Sequence, residues 1–128
     1  MKNTLLLILT ILALASCTKQ PDLKGFDTQK WKADHGGCMG ERTNMIEALK
    51  SLKQELKGVS ATDFADIFGK PDIELLTERN QKYYVYYLEE GTHCQNISLP
   101  SEARNVAIRF SAIGLATEIT FQKGTPTF

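Results

Sequence analysis

The residues of this chain best equipped for chemistry fall in two short stretches, His35-Gly36-Gly37-Cys38 and His93-Cys94. They hold both histidines and two of the three cysteines. Two chemistries suit them: a metal site using imidazole and thiolate ligands, or a disulfide with histidines nearby. Neighbours such as His93 and Cys94 ligate one ion awkwardly, and the C-x₂-C and H-x₃-H spacings of structural zinc are missing. Enzymatic constellations are also missing. The chain has no G-x-S-x-G nucleophile elbow, no P-loop and no H-E-x-x-H helix. Glu89-Glu90 is an acidic pair of the kind more often solvated than catalytic. A non-enzymatic protein with no cofactor is therefore expected.

The choice between metal and disulfide depends on compartment, and the first residues address it. Lys2 precedes an apolar run from Leu5 to Leu14 broken only by Thr10. That run covers about half of the roughly 30 Å hydrocarbon layer, too little to span it. It reads as a signal peptide over residues 1–16. Leu14-Ala15-Ser16-Cys17 resembles the lipobox of bacterial lipoproteins, which implies lipidation (diacylglycerol and palmitate-type acyl chains) at Cys17. Two or more acyl chains anchor stably where one binds marginally. Thr18 stands where an inner-membrane retention Asp would be, so the outer membrane is expected. In an oxidising envelope the remaining pair, Cys38 and Cys94, is expected to form a disulfide. Closing a loop of about 57 residues is worth about 4 kcal/mol in the chain-entropy model. Asn96-Ile97-Ser98 is a sequon with no expected use in such a compartment.

Of 128 residues, 15 are basic and 15 acidic. Loss of Lys2 with the leader leaves a net charge near −1, which gives no reason to expect nucleic acid as a partner. The mature length suits one domain. Residues 17–33 mix Pro, Gly and alternating charges and read as a lipidated tether. Trp31 is the residue there expected to join the core. The domain proper is expected over 34–128.

Within it, Met45, Leu49, Leu52 and Leu56 recur at helical spacing from about Glu41 to Lys57, with Gly58 as terminator. A second helix has both ends written. Ser60 is its N-cap, Asp63 sits in the capping-box position, Val59 and Phe64 form a staple, and Gly69-Lys70-Pro71 stops it. Three strand patterns follow at 82–88, 105–110 and 115–122. A loop from Ser111 to Gly114 would place Phe110 opposite Leu115 and Arg109 opposite Ala116, with Glu118 diagonal. The expected fold is α+β, two N-terminal helices on a three-stranded antiparallel sheet.

Gly58, Ser60, Ile67-Phe68, Gly69 and Pro71, followed by Tyr84-Val85-Tyr86, Phe110, Gly114 and Ile119, resemble the SmpA/OmlA (BamE-like) domain of small outer-membrane lipoproteins. The resemblance implies a helix-helix-three-strand fold and an accessory or scaffold role. The segment Trp31–Arg42 departs from that family's pattern. The expected function is an envelope interaction module, with a protein partner bound on the sheet surface formed by two of Tyr83, Tyr84, Tyr86 and Tyr87 together with Arg109, Ala116 and Glu118. The alternatives are a small-ligand or metal-binding lipoprotein centred on His35, Cys38, His93 and Cys94, or an inhibitor of an envelope enzyme.

Overall fold

The computed structural model describes residues 19–126. The expected signal peptide, the lipidated Cys17 and Thr18 lie outside the described residues. Part of the expected tether is packed: Leu23 and Phe26 lie against the core, and a helix α1, Thr28–Ala33, buries Trp31 at its centre. Asp27 caps it by accepting from the Lys30 amide at 3.0 Å.

The Met45-Leu49-Leu52-Leu56 stripe is buried throughout, as its spacing requires. The helix carrying it is interrupted. A 3₁₀ turn at Thr43–Met45 leads into α2, Ile46–Ser51, and a break at Leu52 separates α2 from α3, Lys53–Leu56. Ser51 donates its hydroxyl back to the Ala48 carbonyl at 2.6 Å, the local competition that bends helices at serine. α4, Ala61–Phe68, is capped as expected, the Asp63 amide donating to Ser60 Oγ at 3.1 Å. Gly69, at φ 81°, ends it.

The sheet has four strands rather than three, antiparallel in the order β1-β2-β3-β4: Ile73–Leu76, Lys82–Tyr87, Arg104–Phe110 and Ala116–Lys123. Its inner face carries Tyr84, Tyr86, Val106, Ile108, Phe110, Ala116 and Ile119 against the helices. Trp31, Phe64, Phe68, Tyr86 and Phe110 meet there in tilted and edge-on ring contacts with centroids 4.8–6.4 Å apart. Such geometry adds to plain burial.

The β3–β4 register differs from the expected one. Arg109 pairs directly with Glu118, and Phe110 pairs with Ala116, not Leu115. Thr117 is the extra residue of a β-bulge. Its hydroxyl donates to the Arg109 carbonyl at 3.1 Å. The turn is accordingly five residues long, with the Ser111 amide donating to Leu115 O at 2.9 Å. The bulge turns Ala116 into the core together with Ile119, whereas unbroken alternation would have sent Ala116 outward.

Candidate functional site

The segment Asp34–Arg42 folds into a tight loop because one buried carboxylate organises it. Asp34 accepts from the Met39 amide at 2.7 Å and the Arg42 amide at 2.9 Å. Gly36 and Gly37 both take positive φ. At Gly37 a Cβ would lie 2.7 Å from the Glu89 nitrogen and 2.8 Å from the Leu88 carbonyl carbon, so only glycine lets the loop touch the end of β2.

Arg42 fastens this loop to the sheet. It is 1% exposed. Its Nε donates to Trp31 O at 3.2 Å, and its Nη1 donates to Asp72 Oδ2 at 2.8 Å and to Tyr87 O at 3.1 Å. The guanidinium lies 4.6 Å from the Trp31 ring centroid. Asp72 completes the junction by accepting from the amides of Gly36 and Tyr87. Sequence reasoning did not single out Asp34, Arg42 or Asp72. Each is charged in a polar stretch, and nothing local distinguishes it from a solvated residue.

The loop delivers Cys38 to Cys94, and the two form a disulfide with Cα atoms 5.9 Å apart. His93 lies beside it, 3% exposed. Its ring stacks on Tyr87 at 3.7 Å with a 10° interplanar angle. Nε2 is 2.7 Å from Gly36 O, and Nδ1 is 2.8 Å from Ser101 Oγ, which also accepts from the Ala103 amide at 3.2 Å. In the neutral ring Nε2–H donates to Gly36 and the Ser101 hydroxyl donates to Nδ1, which satisfies every partner. Nε2 also stands 3.5 Å from Cys94 Sγ and 4.0 Å from Cys38 Sγ. Three of the four residues weighed as metal ligands thus come together with their ligand atoms within 4.8 Å of one another. His35 is exposed and outside that cluster, but lines the same cleft of about 360 Å³ with Lys70, Pro71 and Ile97.

The expected partner face comes together only in part. Tyr84, Tyr86 and Ala116 are buried in the inner core, and Tyr87 is buried beneath His93. Burial holds the Tyr86 phenol well above its ordinary pKa, and its hydroxyl donates to Gly69 O at 2.8 Å. Tyr83, Arg109 and Glu118 remain as one row across the outer face. Arg109 Nη2 meets Glu118 Oε2 at 3.1 Å. Beside that row, Leu75, Leu76, Thr77, Arg79, Arg109 and Pro126 line a groove of about 950 Å³. Leu76 is 72% exposed. Of the acidic pair, Glu89 accepts from the Arg104 amide at 2.9 Å and from Arg104 Nε at 2.8 Å. That backbone hydrogen bond is the largest cause holding the carboxyl below its ordinary pKa; burial opposes it, and the Arg104 side chain adds to the lowering.

Fold and site together define a small α+β domain with an antiparallel sheet, a disulfide-floored cleft and a separate outer-face groove. No family model, curated protein or solved structure matches the chain.

Proposed function

We propose that this chain is a lipid-anchored protein of the bacterial envelope, held at the outer membrane through Cys17, and that it serves as a non-catalytic interaction module of the SmpA/OmlA (BamE-like) kind. The observation that carries the reading is the outer face. Leu75, Tyr83, Arg109 and Glu118 form one row across it beside a groove of about 950 Å³, starting from the edge strand β1. Tyrosine and arginine side chains are the composition enriched at interface centres. A sheet edge with free backbone groups is itself a docking element.

A photocrosslinker at position 83 in cells tests the surface. Arg109→Glu, in the same row, should abolish the crosslinked partner while circular dichroism and melting stay near wild type. A partner captured at full yield by that variant refutes the face. The anchor is tested separately. The wild-type chain should stay with membranes through high-salt washing and Cys17→Ala should leave the leader uncleaved, and an unmodified Thr18 start in intact mass spectrometry refutes it.

A further inference from the structure

We propose that Cys38, Cys94 and His93 are the protein ligands of a redox-gated Zn²⁺ site, assembled when a dithiol reductant opens the disulfide. The proposal is independent of partner binding on the outer face.

Geometry carries the argument. With Zn–S near 2.3 Å and Zn–N near 2.0–2.1 Å, tetrahedral angles put a sulfur and a nitrogen ligand about 3.5–3.6 Å apart. His93 Nε2 already stands 3.5 Å from Cys94 Sγ and 4.0 Å from Cys38 Sγ. The sulfurs must separate to the roughly 3.8 Å that the same bond lengths imply for two thiolates on one ion, and Gly36 O, 2.7 Å from Nε2, must give way to the metal. The imidazole cannot swing away, because it is buried and stacked on Tyr87. A histidine ligand also needs a partner for its other nitrogen to fix tautomer and orientation. Ser101 Oγ, 2.8 Å from Nδ1, is in place for this. On ligation the ring proton moves from Nε2 to Nδ1 and is donated to Ser101 Oγ, while Gly36 O exchanges its imidazole donor for water in the cleft. Gly36 keeps the space open, since a Cβ there would sit 3.1 Å from Cys38 Sγ. The fourth ligand position is left to water.

The chemistry balances. A thiolate of the reductant attacks the exposed Cys94 Sγ, the bond to Cys38 breaks, and Cys38 departs as thiolate. The second thiol of the reductant then displaces Cys94, so two electrons reach the protein and the reductant leaves as its own disulfide. Zinc binding displaces the two thiol protons to solvent. Exposure of Cys94, together with the cleft above it, gives both reagents access.

The test uses the full mature chain, oxidised and after reduction with a phosphine, titrated anaerobically with Co²⁺ as the spectroscopic probe for Zn²⁺. Oxidised protein should show no thiolate-to-cobalt charge-transfer band. Reduced protein should show one that saturates at one equivalent and is bleached by Zn²⁺. His93→Gln should weaken binding at least tenfold and Ser101→Ala more mildly, while the Cys38→Ser/Cys94→Ser double variant should give no band. Three results overturn the proposal: no band from reduced protein of native circular dichroism, a band that His93→Gln leaves unchanged, or a reduced chain that stays unfolded with and without cobalt.

Discussion

Replacing Asp72 by Asn tests whether the buried Arg42 junction secures the N-terminal loop to the sheet. Arg42 makes three hydrogen bonds there, and only the one to Asp72 carries an opposite charge. Both side chains are nearly out of water, at 2% and 9% relative exposure. Removing one partner of such a pair strands the other charge and costs about 3–5 kcal/mol. Arg42→Met falls in the same range, because it leaves the Asp72 carboxylate with two amide donors, deprives the Tyr87 carbonyl of its guanidinium donor and leaves the Trp31 carbonyl with the Asp34 amide alone. The double variant removes both charges, so its loss should fall short of the sum of the singles by at least about 2 kcal/mol, the coupling expected of contacting groups. Urea unfolding followed by fluorescence reads this well. Trp31 is the single tryptophan and packs directly against the guanidinium. Losses from an unchanged slope of free energy against urea should appear as shifted midpoints. If a single variant fails to fold, the double should regain a cooperative transition. Additivity within about 0.5 kcal/mol, or a cost below about 1 kcal/mol for Asp72→Asn, refutes the reasoning.

Three further outcomes are expected. Cys38→Ser and Cys94→Ser should each cost about 2–5 kcal/mol by chemical denaturation, and the double variant about the same, since one bond is lost in every case. Tyr87→Phe should be neutral or stabilising by up to about 1–3 kcal/mol in thermal melts, because the Tyr87 hydroxyl is buried without a hydrogen-bond partner among the described residues; a loss above about 1 kcal/mol contradicts this. Glu89, whose carboxyl is held below its ordinary pKa in the fold, contributes stability that is present above the unfolded-state value near 4.5 and lost as pH falls through the folded one. Because Arg104 is half exposed, Glu89→Gln should remove less than about 1 kcal/mol of that acid-side slope, and a variant with an unchanged pH profile excludes the pairing.

Much of the fold was legible where one physical rule acts locally. The leucine stripe, the Ser60 cap, the Gly69 stop and strands β2 to β4 follow from periodicity and backbone chemistry. The pairing of Cys38 with Cys94 follows from counting cysteines in a chain whose leader reads as an export signal. β1 was missed because Ile73-Glu74-Leu75-Leu76 is four residues long and its adjacent leucines break the two-residue period. The helix break at Leu52 was missed because the apolar stripe runs through it unaltered. The outward placement of Ala116 failed at the bulge, where one inserted threonine reverses the face of everything before it. The Asp34-Arg42-Asp72 junction and the seating of His93 were out of reach for a further reason. Arg42 meets Asp72 and His93 meets Gly36 across 30 and 57 residues of chain, and a charged residue carries no local mark of burial.

The bonds around Gly58 have a consequence for how the chain is completed. Each strand pairs with its neighbour in sequence, so the sheet can grow one hairpin at a time, with little loop-closure cost at each step. The helical layer lacks that independence. The Gly58 amide donates to Ala116 O, the Ala116 amide to Val59 O, and the Ala61 amide to Gly114 O, so the junction between α3 and α4 is stitched to the turn and first residue of the last strand. A chain delivered N-terminus first therefore carries its α3–α4 junction unfastened until its C-terminal hairpin arrives. Truncation beyond Phe110 should free the α3–α4 junction as well as remove one strand, and a ribosome that stalls before β4 holds a half-closed domain with its aromatic core open to chaperones and proteases.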